Sequence, residues 1–167
     1  LITSSAASDV YKRQVVPLHY LAIQDVGFAL NPMLIEGQIH GGVIQGLGWG
    51  MREGMEFDEQ GLLLNPSFMD YALFRADEIP PVDIELIEEP SPHGPFGIRG
   101  VGEPPIVPGA AALASAIQNT VGIRFYELPI RSENVWQAIK RAESQQSRIV
   151  SLNASLFADT VLGRGIR

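Results

Sequence analysis

The sequence predicts an α+β fold, with helices packed on a small sheet. Three observations carry that expectation. The runs 15–26 and 82–90 alternate apolar residues with the period of a strand. The run 37–53 repeats Ile39, Val43, Leu47 and Met51 at helical spacing. Two later runs open on helix-start residues, proline at 104 and 105 and serine at 132.

The first fourteen residues, LITSSAASDVYKRQ, are mostly small and polar and follow neither period. They also resemble a string that recurs in conceptual translations of sequencing-adapter DNA. They are read as an artefact or a disordered arm and are set outside the fold. From Val15 to Val26, VVPLHYLAIQDV reads as a strand with Leu18, Tyr20, Ala22 and Gln24 on one face. Pro17 cannot donate to a ladder, so it points to an edge position or a late start. DVGFALNP follows, in which Asp25, Gly27 and Asn31 are turn and cap residues and Pro32 suits the first turn of a short helix.

The helical run GQIHGGVIQGLGWGMRE holds glycines at 37, 41, 42, 46, 48 and 50. Each interior glycine costs about 0.5–1 kcal/mol relative to alanine. A helix that keeps so many is expected to pack closely on another backbone or a ligand. MEFDEQGLLLNPSF reads as a hairpin, two strand-like pieces around a turn from Asp58 to Gly61. Residues 68–81 are irregular. VDIELIEEP, 82–90, is a half-exposed strand. A helix is expected from Pro104 or Pro105 to about Thr120, then a short strand in VGIRFYELPI, 121–130. Ser132 is read as the cap of a final amphipathic helix striped by Val135, Trp136 and Ile139. The pattern weakens after Lys140. The chain thus divides into an arm, 1–14, a body, 15–141, and a tail of uncertain structure, 142–167.

Bulk properties narrow the function. The net charge of −7 argues against non-specific binding to nucleic acid or to an anionic membrane. No apolar stretch reaches the ~18 residues of a membrane span, and a cytoplasmic location is expected. Cysteine is absent, which removes disulfides, thiolate nucleophiles and cysteine-held metal sites from this chain. His19, His40 and His93 lack metal-ligand spacing, so no metal ligand is assigned. No serine sits in a G-x-S-x-G context.

One acid stands out. In GPFGIRGVGEPPIVPGAA, 94–111, Glu103 lies between a glycine-dense loop and a double proline. Pro104 disfavours the helical region for the residue before it, which places Glu103 in an extended conformation at a helix entrance. An acid there either caps orphan amides or aims a carboxylate into a cleft as a general base. Local sequence favours the cap. The loop is neither a P-loop nor a G-x-G-x-x-G dinucleotide fingerprint. Gln38 could hydrogen-bond a heterocycle, or could join Gln45 in a polar stripe. Asp25 reads as a turn residue, His93 as a loop residue, and Trp49 and Trp136 as helix packing.

Taken together and in order, DVGFALNP (25–32), GQIHGGVIQGLGWG (37–50), LLNPSFMDYALFRADEIPP (63–81), HGPFGIRGVGEPPIVPGAAALASAI (93–117) and ELPIRSENVWQAI (127–139) resemble the molybdenum hydroxylases. This is the family of xanthine dehydrogenase, aldehyde oxidase and the carbon monoxide dehydrogenase large subunit. The resemblance covers about residues 15–141. It implies the C-terminal segment of the molybdopterin-binding domain, with helices packed on a small mixed sheet. It implies a molybdopterin cofactor whose dithiolene holds the metal, so the lack of cysteine is no obstacle. The acid of GVGE, Glu103, would be the general base that activates the water-derived oxygen. Gln38 would contact the cofactor, and Gly102 would bring backbone close to it. Arg99 stands where many relatives carry lysine. The resemblance further implies remaining large-subunit segments, iron–sulfur and FAD partner modules, a small-molecule substrate and an oligomer of the full enzyme. The chain is accordingly expected to be a fragment, inactive alone, of an enzyme that hydroxylates a purine, an aldehyde or an N-heterocycle, or that oxidises carbon monoxide. The alternative is a non-catalytic binding or structural module, or an inactive relic.

Overall fold

Strand β2, Gln14–Asp25, is the centre of the fold. The structure, a computed structural model, describes residues 2–9 and 14–161, with side chains from 15 to 147. Strand β1, Ile2–Asp9, runs antiparallel to β2 on one side, and strand β3, Val82–Ile87, runs parallel on the other. The sheet is therefore mixed, and β2 is not the edge strand that Pro17 suggested. Ser5 pairs with His19 but Ala6 pairs with Pro17, so β2 carries one extra residue at this point. That bulge absorbs the proline's missing N–H. It also shifts the buried face. Val15 and Pro17 are buried before it and Tyr20 and Ala22 after it, while Leu18, expected on the inner face, is 53% exposed.

Residues 2–9 belong to the sheet, which corrects their reading as an arm outside the fold. Backbone pairing needs no apolar period: β2 presents a row of N–H and C=O groups on that side, and an extended chain completes it. On the other side β3 alternates as expected, with Val82, Ile84 and Leu86 partly buried and Asp83 and Glu85 exposed. A parallel pair requires a crossover, and the chain between β2 and β3 carries the longest of the glycine-rich segments.

That segment is helix α1, Pro32–Met51, a single helix where a short one and a second one were expected. Pro32 takes the first turn, and the Asn31 side chain accepts the Leu34 N–H at 3.2 Å. Ile35, Ile39, Val43, Leu47 and Met51 form one buried row. They meet Tyr20, Ala22 and Val26 of the sheet side, Leu113 and Ile117 of helix α2, and Ile130 and Val135. Burial pushes the Tyr20 phenol up to about 12.

Helix α2, Gly109–Val121, begins later than Pro104–Pro105 predicted. Residues Pro104–Ile106 close one 3₁₀ turn instead, and Pro108 again lacks the donor that a continuous helix would use. The helix ends at Gly122, whose φ of +72° suits the left-handed cap. Glycines of α1 let these segments approach. A Cβ on Gly42 would lie 2.6 Å from Pro105 Cβ, and one on Gly46 would lie 2.7 Å from the Ile106 carbonyl oxygen.

The expected hairpin reduces to one bridge, Phe57 to Leu63, around a well-made turn. There the Asp58 side chain accepts the Gln60 and Leu62 amides, and Gly61 has φ +81°. No strand forms in 121–130. Helix α3 runs from Ser132 to Val161, so much of the expected tail is helical. Ser132 does not cap it. The Arg131 carbonyl accepts the Val135 N–H, and Ser132 Oγ accepts the Val15 N–H at 3.2 Å, tying α3 to β2. Among the described residues no helix is long and apolar enough to cross a membrane.

At the end of α1, Arg52 donates to Glu78 at 2.6 Å and lies 4.3 Å from the Phe74 ring centroid. Arg52, followed by the Arg75 N–H, lowers the Glu78 pKa from 4.5 to about 2. A depressed carboxylate stabilises the fold above its unfolded pKa and loses that contribution as pH falls through the folded value. Thermal stability is therefore expected to fall between pH 4.5 and about 2 more steeply in the wild type than in Glu78→Gln, as read by circular dichroism. The glycines give a second expectation. Gly46→Ala should lower stability by about 1–3 kcal/mol in urea denaturation through overpacking. Gly41→Ala, with nothing within 4 Å of the added carbon, should raise it by about 0.5–1 kcal/mol.

Candidate functional site

The register of α1 against the 105–109 segment decides what lies beside Glu103. Gly42 faces Pro105, and Gln38 stands one helical turn before Gly42. The loop residues just before Pro105 therefore come to Gln38. A Cβ placed on Gly102 would lie 3.9 Å from Gln38 Oε1, with nothing nearer. Gln38, Gly102 and Glu103 are all exposed on this face. The three residues singled out by sequence are brought into one neighbourhood.

Glu103 itself departs from expectation in its backbone. Its φ of −99° and ψ of −33° are helical, not extended. The Ile106 N–H bonds the Glu103 carbonyl at 3.2 Å, and closing that 3₁₀ turn requires a negative ψ despite the steric preference set by Pro104. The capping role favoured by local sequence is absent, because the side chain makes no cap hydrogen bond. Helix α2 starts only at Gly109, so its first amides are not beside this carboxylate.

The loop before Glu103 is fastened to the end of β2. Arg99 N–H bonds the Val26 carbonyl at 3.0 Å, and Arg99 Nε meets Asp25 Oδ2 at 3.0 Å. Asp25 Oδ1 accepts the Gly27 N–H at 2.9 Å, the turn role expected of it. That N–H bond chiefly, with the Arg99 guanidinium, holds the Asp25 carboxyl below its usual range. Gly27, at φ +71°, passes so close to the Gly97 carbonyl that any side chain would collide with it. Gly97 in turn accepts the Ser91 N–H at 2.9 Å. Sequence reasoning missed the Asp25–Arg99 pair. Its members lie in separate motifs, and only the fold joins them.

Other candidates lie elsewhere. His40 and Gln45 are exposed on α1, and His93 only donates its backbone N–H to Ser91 Oγ. Trp49 is 48% exposed, which differs from the packing role its helix position predicts. Phe28 and Phe96, chain neighbours of the Gly27–Gly97 contact, are exposed, and Phe96 has φ +55°. Among the described residues no group of three or more His, Asp or Glu could hold a metal ion. The neighbourhood offers a proton acceptor, an amide that both donates and accepts, and an uncovered glycine backbone.

The chain is similar to known proteins. A family model described as molybdopterin cofactor-binding domain matches residues 4–80. The xanthine dehydrogenase molybdenum-binding subunit of Escherichia coli O157:H7 is 35% identical over 118 residues, 70% of this chain and 16% of that protein. The carbon monoxide dehydrogenase large chain of Hydrogenophaga pseudoflava is 40% identical over 124 residues, 72% of this chain and 15% of its own length. The solved aldehyde oxidoreductase of Desulfovibrio gigas superposes with a TM-score of 0.72 at 33% identity, over 80% of this chain and 14% of that one. The chain thus spans about a sixth or less of the proteins it matches. Fold, motif order and these likenesses converge: the chain belongs to the molybdenum hydroxylases, the family of xanthine dehydrogenase, aldehyde oxidase and carbon monoxide dehydrogenase, and is similar to part of their molybdopterin-binding large subunit.

Proposed function

We propose that this segment places the general base of a molybdenum-dependent hydroxylase, with Glu103 as that base. The observation that carries the reading is the meeting of Gln38, Gly102 and Glu103 on one exposed face. When bound, the molybdopterin cofactor supplies the metal and the two-electron oxidation. This chain supplies the rest of the immediate chemistry. Gln38 offers its amide to the cofactor's polar edge. Gly102 leaves room for backbone to come close, since it projects no side chain. Glu103 accepts at its carboxylate the proton of the water-derived nucleophile, a role worth typically 10²–10⁴-fold in rate. The Asp25–Arg99 pair and the Gly42–Pro105 contact hold the carboxylate at a fixed place, which a base needs as much as its proton affinity.

The whole enzyme on this reading oxidises a purine, an aldehyde, an N-heterocycle or carbon monoxide. Electrons leave through iron–sulfur clusters and FAD on partner modules. The remaining large-subunit segments complete the cofactor and substrate pockets, and the isolated chain is inactive.

In the assembled, molybdenum-loaded enzyme, Glu103→Gln should lower kcat by at least about 10²-fold while molybdenum content by mass spectrometry stays unchanged. Activity within a few-fold of wild type would remove the base assignment. The clamp has its own readout. Asp25→Asn should speed tryptic cleavage after Arg99 several-fold, because the loop loses its ionic tie while the rest of the fold stays intact. An unchanged cleavage rate would mean that the backbone bonds alone hold the loop.

A further inference from the structure

Between α2 and α3 lies a segment that the fold leaves open. Residues 123–126 form no turn, and their burial alternates: Ile123 and Phe125 are half-buried, Arg124 and Tyr126 exposed. Alternating β-branched and aromatic residues are the pattern that predicts a strand here. Yet no strand pairs with it. Among the described residues, the backbone amides of Ile123 to Leu128 make no backbone hydrogen bond, and the next one that does is Ile130, to Gly50. The segment borders a groove of about 520 Å³ whose far wall is the start of α3, with Asn134, Gln137 and Arg141.

The groove is also electrostatically unusual for this molecule. The chain is acidic overall, at −7. Arg52, Arg99, Arg131 and Lys140 each pair with a carboxylate of the chain. Among the described residues Arg75, Arg124 and Arg141 form no such pair, and the last two line this groove. Arg124 lies 5.6 Å from the Tyr126 ring centroid, and Tyr126 is 85% exposed. Glu127, the acid of the groove, forms no ion pair with either arginine. Ile130 reaches the C-terminal end of α1, about 18 Å along the helix from Gln38 at ~1.5 Å per residue. The groove is distinct from the Glu103 site.

We propose that Ile123–Leu128 is an open strand edge that docks an extended peptide strand bearing carboxylates. The incoming backbone pairs with the unpaired amides and carbonyls, and its acidic side chains meet Arg124 and Arg141. A small anion would engage the guanidiniums and leave the backbone row unmatched. A second copy offering its acidic β3 edge would make a head-to-tail contact, not the two-fold contact that is commonest in dimers. The strand is instead supplied by a part of the large subunit outside this chain, a source that rests on the reading of the chain as a segment of a longer subunit. The matched relatives have several times its length.

The test is hydrogen exchange followed by mass spectrometry on the 167-residue chain. The probe is acetyl-Val-Glu-Val-Glu-Val-Glu-amide, with the lysine-for-glutamate peptide as control. The acidic peptide is expected to slow exchange in 123–128 at least tenfold, less so at high salt, with the lysine peptide inactive. Arg124→Glu with Arg141→Glu should abolish the protection, and Arg124→Gln with Arg141→Gln should weaken it. Amides of β3 and α2 report in the same spectra that the fold is intact. Protection by both peptides equally, by neither, or at another segment overturns the proposal. So does equal protection by inorganic phosphate, which would make the groove a small-anion site. Protection that rises with chain concentration and needs no peptide would assign the groove to a second copy. None of these outcomes touches Glu103, so the base assignment stands or falls separately.

Discussion

Where Gly46 of α1 meets Gly109 of α2, the two backbones lie so close that a methyl group on either glycine would strike the other chain. Gly42 makes the same kind of contact with Pro105, and Gly50 with Leu113 and Ala110. These three glycines sit four residues apart, so they form one ridge-free row along the helix. The row is helically unfavourable by itself, at about 0.5–1 kcal/mol per glycine. It persists because it allows a contact that no larger residue permits. The contact also fixes register. With Gly42 against Pro105, the residues preceding Pro105 must lie beside the turn of α1 that holds Gln38.

A second anchor acts from the opposite side. The loop from Pro90 to Glu103 leaves β3 and returns across the end of β2, where Val26, Asp25 and Gly27 each hold it. Arg99 carries most of that attachment, through its amide and its guanidinium. Between the two anchors only Gly100, Val101 and Gly102 remain before the acid. Two glycines in so short a span let the chain turn without side chains crowding the face. The carboxylate of Glu103 is thus held by backbone on both sides, while its own side chain is tied to nothing within the described residues.

Much of this was legible in sequence because local rules suffice for it. The buried row Ile39 to Met51, the alternation of β3, the Asn31 and Pro32 helix start and the Asp58 turn all follow from period or turn chemistry. The glycine content of α1 correctly announced a close backbone contact, though not its partner. Long-range pairing was not legible. Nothing in VDIELI says that it lies parallel to β2, and nothing in ITSSAASD says that it lies against the other side. Competition between local rules also misled. Pro104 argued for an extended Glu103, but a 3₁₀ turn closed by Ile106 prevailed. Ser132 had the composition of a cap, but its hydroxyl accepts the Val15 amide instead. Pro17 argued for an edge, but a bulge accommodated it in the central strand.

A general base has to be fixed in place and shielded from bulk water, and this segment meets only the first need. Glu103 is exposed, and so are the apolar side chains of Phe28, Leu30, Met33, Leu34 and Phe96 on the loops and helix start around it. Exposed large apolar side chains are what a covered surface looks like from one half. Proteins named for xanthine, carbon monoxide and aldehydes match this segment about equally well. On the proposed reading, the part common to them is the placement of the Glu103 carboxylate, which the two anchors fix whatever the substrate.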